Sequence, residues 1–253
     1  MRLLPFLAPF ALILLAACSP ETRTPDATVS NVSVSKAPAN PAVVEADRGA
    51  RILAIGDSML AWHEVSGASV ADVVGRKLGE PVLNRAVGGA KVVYNLPLTG
   101  ALGMRVASQF SDGPWDWVIV NGGGNDILFG CGCGDCTRRI DKMVDKSGTK
   151  GELPALFAQI RASGAKAVYA GYLRSPGVDS AIDVCRPEGD ELDARMARLA
   201  EQMDGVWFIS NADLVPEGDT SYHGIDLVHP SRKGSAAIGA RIAALIARED
   251  PDR

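Results

Sequence analysis

Short apolar runs alternate with amphipathic segments over most of the chain. The apolar runs that predict strands cover residues 51–55, 82–83, 117–120, 167–170 and 206–209. The segments with helical spacing of apolar residues cover residues 70–78, 153–161, 191–203 and 235–247. Strands with little alternation of apolar and polar positions, separated by helices, indicate a parallel sheet that is covered on both faces. The pattern therefore predicts one α/β domain from about residue 50 to residue 250.

The N-terminus has a different pattern. Arg2 is followed by an uncharged apolar run over residues 3–17. This run is shorter than the roughly 20 residues that span a bilayer and is typical of a secretory signal peptide. It ends in Leu-Ala-Ala directly before Cys18, a sequence that resembles the bacterial lipoprotein signal. We therefore predict a signal peptide over residues 1–17 and a lipid on Cys18. An ordinary signal peptide or a helical anchor, with Cys18 incidental, is the alternative.

The chain between Cys18 and residue 49 is rich in proline, serine and threonine and contains no aromatic residue. It has no periodicity that would bury a face, so residues 18–49 are predicted to be a lipidated cysteine followed by a disordered tether. In the resembling lipoproteins the residue after the cysteine influences sorting, and Ser19 in place of an aspartate favours the outer membrane. We expect an exported bacterial lipoprotein on the periplasmic side or in the cell envelope, held to the outer membrane by its N-terminal lipid.

Composition and charge exclude several classes of protein. Of the 253 residues, 47% are hydrophobic and 22% are charged, which rules out a largely disordered chain or a multi-span membrane protein. The 26 basic and 30 acidic residues give a formal charge of −4. No nucleic-acid partner is therefore expected on electrostatic grounds. The sequence makes no prediction about the oligomeric state.

The five cysteines divide into Cys18 and four in the predicted domain. Those four are Cys131, Cys133, Cys136 and Cys185. In an oxidising exported compartment they predict two disulfides, in one of three pairings. We favour pairings in which Cys185 reaches back to the 131–136 cluster, and a Cys131–Cys133 bond is the least favoured because its small ring would be strained. A zinc site or a redox-active Cys133-Gly-Asp-Cys136 pair is the alternative.

Three polar blocks follow predicted strands or lie in loops where functional residues of a parallel sheet are found, at the carboxyl ends of its strands. Gly56-Asp57-Ser58 directly follows the first strand, where a serine can be exposed with its N–H free to bind an anion. The glycine-rich run before Asn125 follows the third predicted strand, and the Asn125 amide can donate to a developing negative charge. In the third block Asp226 lies three positions before His229, so both can come from one tight loop. Taken singly, each block can have a purely structural role. Ser58 can cap a helix, the run before Asn125 can be a flexible loop, and His229 can be an ordinary loop residue.

Two other histidines compete with His229 for the role of base. His63 follows Ser58 closely and lacks an obvious carboxylate partner other than Glu64. His223 lies six residues before His229. The proximity of Asp226 makes His229 the preferred base.

Together the blocks resemble those of the SGNH hydrolases, also called the GDSL esterase/lipase family. The matching residues are Ser58, a glycine of a second block, Asn125, and the pair Asp226 and His229. Asn84 followed five residues later by Gly89 fits the spacing of the second block best, and Gly88 is the alternative. Met59 stands where the name-giving motif has leucine, a similar apolar residue. The resemblance covers about residues 50–250, the whole predicted domain.

The resemblance implies a three-layer α/β/α sandwich with a five-stranded parallel, flavodoxin-like sheet. It also implies a serine hydrolase that cleaves carboxylic esters and needs no metal or organic cofactor. Ser58 would be the nucleophile, His229 the base and Asp226 the residue that orients His229. The N–H groups of Ser58 and Gly89 and the Asn125 side chain would form the oxyanion hole.

The substrate is expected to be a small-molecule or polysaccharide ester. The predicted location favours deacylation of envelope or exported carbohydrate. The alternative enzyme is a lipid-directed acyl esterase, lysophospholipase or thioesterase. A binding lipoprotein without catalysis is less favoured, because the full set of motif residues is present.

Overall fold

The computed structural model describes residues 49–178 and 180–253. The predicted signal peptide, Cys18 and the tether up to residue 48 lie outside the described residues and stay predictions. Among the helices that are described, none combines the length and apolar composition needed to cross a bilayer.

The described chain contains a five-stranded parallel sheet. Its strands are β1 (Ile52–Ile55), β2 (Val82–Asn84), β3 (Trp117–Val120), β4 (Lys166–Ala170) and β5 (Val206–Ile209). Their spatial order is β2-β1-β3-β4-β5, the flavodoxin-like order, in which ligands bind at the carboxyl edge where the strand order reverses. Ile55 pairs with Val120 and Val120 pairs with Tyr169. The loops that follow β1, β3 and β4 therefore leave the sheet side by side.

Eight α-helices occur in the described residues. In chain order they are α1 (Ser58–Ala61), α2 (Val70–Leu78), α3 (Pro97–Thr99), α4 (Gly124–Gly130), α5 (Thr137–Met143), α6 (Glu152–Ala162), α7 (Arg186–Gln202) and α8 (Arg232–Glu249). The four helices predicted from apolar spacing correspond to α2, α6, α7 and α8. The other four have seven residues or fewer, too short for the helical period to show in the sequence.

Two apolar cores flank the sheet and explain why its strands show little alternation. Leu53, Val118 and Ala167 point to the side covered by α4, α5, α6 and α7. Ile52 and Trp117, like Val168, point to the side covered by α1, α2 and α8. Because both faces are buried, apolar residues are favoured at successive strand positions. The predicted three-layer α/β/α sandwich is confirmed.

The four cysteines of the domain are joined as Cys131–Cys136 and Cys133–Cys185. This is one of the favoured pairings, in which Cys185 reaches back to the earlier cluster. The first disulfide closes the loop after α4, and the second ties that loop to the turn before α7. Among the described residues no cluster of His, Cys, Asp or Glu is arranged to hold a metal ion.

Candidate active site

The turn that carries Ser58 depends on a close approach between two strand ends. A side chain at Gly56 would lie 2.7 Å from the carbonyl oxygen of Asn121, so this crossing requires glycine. The Gly56 N–H and carbonyl are both hydrogen-bonded to the side chain of Gln109, at 2.7 and 2.8 Å. Asp57 caps α1 by accepting a hydrogen bond from the Met59 N–H. Ser58 is therefore the first residue of α1, held at the carboxyl end of β1.

His229 lies against Ser58. Its Nε2 atom is 2.9 Å from Ser58 Oγ, and its Nδ1 atom is 2.6 Å from Asp226 Oδ2. The other Asp226 oxygen accepts the N–H groups of Val228 and His229, which tightens the loop around the imidazole. Burial raises the pKa of Asp226, but these hydrogen bonds outweigh burial and leave the pKa below its usual value. The structure thus brings the three predicted residues together in one hydrogen-bonded chain.

The two competing histidines have other contacts. His63 donates from Nε2 to the carbonyl of Pro230 at 3.1 Å. His223 is 5% exposed and forms a bridge with Pro230. Burial lowers the pKa of His223, although nearby Asp226 opposes the shift. Of the histidines in the described chain, His229 is the one that contacts Ser58.

Asn125 lies in the first turn of α4, directly after the glycine run. Its Nδ2 atom donates to the Ala90 carbonyl at 3.0 Å and lies 3.4 Å from Asp57 Oδ2. The bond to Ala90 puts the Asn125 amide against the residue that follows Gly89. Gly89 has a φ of +79°, a left-handed conformation that favours glycine. Gly88 is exposed, so the surroundings favour Gly89 as the second-block residue.

Tyr172 links the nucleophile turn to α4, and the sequence patterns did not single it out. Its hydroxyl donates to Asp57 Oδ2 at 2.5 Å and accepts the Gly124 N–H at 2.8 Å. Burial raises the pKa of Asp57, with hydrogen bonds from Tyr172 and Met59 opposing it. The available signal was positional, because Tyr172 follows β4 at the same sheet edge as the three polar blocks.

Asp126 joins α4 to the loop that follows Gly89. Its carboxylate accepts the N–H groups of Val92 and Val93, at 2.8 and 3.0 Å. Burial raises the pKa of Asp126 from 3.8 to about 6, against the lowering effect of those two bonds and of nearby Arg139. Asp126 therefore holds the second block in register with Asn125.

A cavity of about 370 Å³ opens beside Ser58, Asn125 and His229. Its polar lining includes Arg174, Ser175 and Arg186. Most of the remaining lining is apolar and consists of Met59, Ile127, Leu128, Phe129, Leu173, Ala181, Ile182, Val228 and Pro230. A serine at the mouth of such a cavity can present its oxygen to a carbonyl whose apolar substituent fills the cavity.

Comparison with solved structures supports the observed fold. A protein described provisionally as a platelet activating factor from Streptococcus pneumonia has a TM-score of 0.56 and 14% identity, with 81% of this chain and 90% of that chain covered. A provisional acylhydrolase from Bacteroides fragilis has a TM-score of 0.55 and 16% identity, covering 79% and 87%. A family two carbohydrate esterase from Clostridium thermocellum, solved with cellohexaose, has a TM-score of 0.51 and 21% identity, covering 78% and 63%.

No curated protein matches the chain significantly. The profile of the GDSL-like Lipase/Acylhydrolase family matches residues 54–237, a span that includes all three polar blocks and most of the described sandwich. The chain therefore belongs to the GDSL-like lipase/acylhydrolase family and is a carboxylic ester hydrolase.

Proposed function

We propose that Ser58, His229 and Asp226 form the catalytic triad of this ester hydrolase. The observation that carries the proposal is the continuous chain of hydrogen bonds from Ser58 Oγ through His229 to Asp226, at 2.9 and 2.6 Å. Ser58 Oγ attacks the ester carbonyl while His229 Nε2 takes its proton. His229 then returns the proton to the alcohol oxygen as the ester bond breaks, leaving an acyl group on Ser58. Water attacks this acyl-enzyme by the same proton route and releases the acid.

Asp226 supports the cationic form of His229 in this scheme. Its carboxylate accepts the Nδ1–H of His229, which fixes the tautomer whose Nε2 faces Ser58. The lowered pKa of Asp226 keeps the carboxylate ionised at neutral pH. A fixed negative charge beside the imidazolium stabilises the transition state, where that cation forms.

The proposed oxyanion hole consists of the N–H groups of Ser58 and Gly89 and the Asn125 side-chain amide. Among the described residues the Ser58 N–H has no acceptor, so it is available to donate to a bound oxyanion. Asn125 is fixed through Ala90 by one hydrogen bond at 3.0 Å, and its 3.4 Å contact with Asp57 is longer than an ordinary hydrogen bond. In the proposed transition state the Asn125 amide exchanges this long contact with Asp57 for a hydrogen bond to the oxyanion.

The cavity favours a substrate whose acyl group is longer than acetyl. Its volume of about 370 Å³ and mainly apolar lining suit a hydrocarbon chain, which is stabilised in proportion to the apolar area that it buries. This observation favours the lipid-directed acyl esterase. Deacylation of envelope carbohydrate is the second candidate, supported by the fold shared with a carbohydrate esterase solved with cellohexaose.

Hydrolysis of p-nitrophenyl esters of increasing chain length tests the substrate. We expect kcat/KM to rise from acetyl to medium-length chains and then to level off as the cavity fills. A sharp preference for acetyl would support the carbohydrate deacetylase instead. Absence of hydrolysis over the whole series would contradict the proposed enzymatic role of Ser58.

The nucleophile is tested by covalent labelling with a fluorophosphonate. Ser58→Ala should lose both labelling and ester hydrolysis, because the attacking oxygen is removed. Ser66→Ala is the matched control, since Ser66 is an exposed serine a few residues beyond α1. Labelling that persists in Ser58→Ala would assign the nucleophile to another residue.

A further inference from the structure

Trp62 lies directly on the imidazole of His229. The two ring centroids are 3.8 Å apart and the ring planes differ by 4°, a face-to-face stack. Trp62 directly follows α1 and caps it, because its N–H donates to the Ser58 carbonyl at 2.8 Å. The helix that begins with Ser58 is therefore followed directly by the residue whose ring covers His229.

His63 keeps this stack in place. It has a φ of +67°, a left-handed conformation that is uncommon for a residue other than glycine and turns the chain sharply after Trp62. Its Nε2–H donates to the carbonyl of Pro230, the residue after His229. Two neighbouring residues thus contact the loop of His229, Trp62 through its ring face and His63 through a hydrogen bond.

Trp62 is positioned to act on the base rather than on the substrate. It is 37% exposed, and it is absent from the residues that line the described cavity. The ring contact with His229 is therefore the contact through which we expect the Trp62 side chain to affect the reaction.

We propose that Trp62 is a positioning residue that stabilises the protonated imidazole of His229 during catalysis. This inference rests on the proposed function. An aromatic face attracts a cation through the negative charge of its π system, and an indole does so most strongly. His229 becomes a cation only after it takes the proton of Ser58. The attraction therefore grows in the transition state, and it raises kcat rather than tightening substrate binding.

A graded series at position 62 tests the proposal with p-nitrophenyl esters. Trp62→Tyr and Trp62→Phe keep an aromatic face, whereas Trp62→Leu keeps apolar cover without one. We expect kcat to fall in that order, by at most about threefold for the aromatic variants and by about tenfold for Trp62→Leu. KM should stay within about twofold of the wild type. Val65→Ala is the control, because Val65 is fully exposed on the next turn, and it should leave both constants unchanged.

His229→Ala in the same assay separates this inference from the proposed function. If His229→Ala retains activity, the triad itself is wrong. If His229→Ala is inactive but Trp62→Leu keeps the wild-type kcat, the triad stands and the role of Trp62 is refuted. Equal losses in Trp62→Phe and Trp62→Leu would indicate packing rather than an aromatic effect and would also refute it. If Trp62→Leu fails to fold, the aromatic variants alone decide. A kcat that does not fall in the order Trp, Tyr, Phe, the order of their attraction for a cation, would then refute the role of Trp62.

Discussion

Asp57 is a buried hydrogen-bond acceptor that positions its neighbours. It takes no part in the proposed proton transfer between Ser58 and His229. Its carboxylate caps α1 through Met59, accepts the hydroxyl of Tyr172, and approaches the amide of Asn125. A side chain that contacts α1, the loop after β4 and the first turn of α4 couples the positions of these three segments. This explains physically why an aspartate suits the position before Ser58.

Removing the Tyr172 hydroxyl should disturb that coupling. Tyr172→Phe takes a donor from Asp57 and an acceptor from the Gly124 N–H. Buried groups left without partners cost about 1–3 kcal/mol, so the free energy of unfolding should fall by that amount. We also expect kcat to fall several-fold, because Gly124 and Asp57, which lie next to Asn125, each lose a fixed partner. Denaturant unfolding and steady-state kinetics measure the two effects.

Tyr94→Phe is the matched control for this variant. The Tyr94 hydroxyl bonds to Thr99 at an exposed site, so its loss should change the free energy of unfolding by less than about 0.5 kcal/mol. Equal changes in the two variants would show that the Tyr172 network has no special role.

Asn125→Ala should reduce turnover while leaving the fold intact. Loss of one oxyanion-hole donor typically costs about 10²–10³ in kcat. Because the nucleophile remains, fluorophosphonate labelling of Ser58 should still occur, though slowly. Asn95→Ala is the control at an exposed asparagine. An Asn125→Ala variant with more than half of the wild-type kcat would remove Asn125 from the proposed oxyanion hole.

At the scale of elements, α4 and the loop after Gly89 are joined by one carboxylate. Asp126 is fully buried and accepts two N–H groups of that loop, from Val92 and Val93. Its pKa is raised from 3.8 to about 6 in the folded chain. The folded state therefore binds this proton more tightly than the unfolded state does.

The sign of the resulting pH dependence follows from that difference. As the pH rises from about 4 to about 6, ionisation of Asp126 disfavours the folded state, so its contribution to the free energy of unfolding falls by up to about 3 kcal/mol. Asp126→Asn removes the charge and should remove this slope. Denaturant unfolding of both proteins between pH 4 and pH 7 should show the stability of the wild type falling relative to the variant.

For Asp145→Asn the stability difference from the wild type should depend on pH in the opposite direction. Hydrogen bonds from Ser147 and from the backbone of Lys150 lower the pKa of Asp145 below 3.8. The wild type should therefore lose stability relative to this variant as the pH falls below about 4. If the stability difference between the wild type and Asp126→Asn were independent of pH, Asp126 would not have the raised pKa.

The two disulfides should differ in their effect on stability. Cys133–Cys185 joins residues 52 positions apart, whereas Cys131–Cys136 joins residues five positions apart. Because the loop-closure entropy lost from the unfolded chain grows with loop length, the longer bridge should contribute about 2 kcal/mol more. Denaturant unfolding of the two double-serine variants measures the difference, and a larger loss for the shorter bridge would contradict the prediction.

At the scale of the whole molecule, two apolar cores support one catalytic edge of the sheet. Ser58 and Asn125 lie in the first turns of α1 and α4, and His229 lies in the loop before α8. Each of these helices buries apolar residues in one of the two cores. Rigid strands and the helices packed on both of their faces keep these three segments together at the carboxyl edge of the sheet.

We propose, from the N-terminal sequence, that this molecule is anchored in the outer membrane through a lipid on Cys18. Cys18→Ser should then move the protein from the membrane fraction to the soluble envelope fraction and abolish incorporation of a labelled fatty acid. Ser19→Asp is the matched variant, and it should keep the lipid but shift the protein to the inner membrane. Unchanged fractionation of Cys18→Ser would rule out the lipid anchor.

Much of the fold could be predicted, because strands and long helices depend on local patterns. The runs at 117–120 and 206–209 coincide with β3 and β5, and the spacing over residues 70–78 coincides with α2. Helix α4 could not be predicted, since its seven residues begin and end with glycine and have no helical period to detect. Its position is imposed by tertiary contacts such as Tyr172 with the Gly124 N–H.

The sequence by itself determined the α/β class and the chemical type of the motif residues, because periodicity and side-chain chemistry are local properties. The sequence made His229 the preferred base, but only the tertiary structure established its contact with Ser58, since that contact joins residues 171 positions apart. The same is true of Tyr172 with Asp57, separated by 115 positions, of Trp62 on His229, and of the cysteine pairing. Such contacts depend on how strands and loops pack around shared cores, and a pattern along the chain does not encode that geometry in any local form.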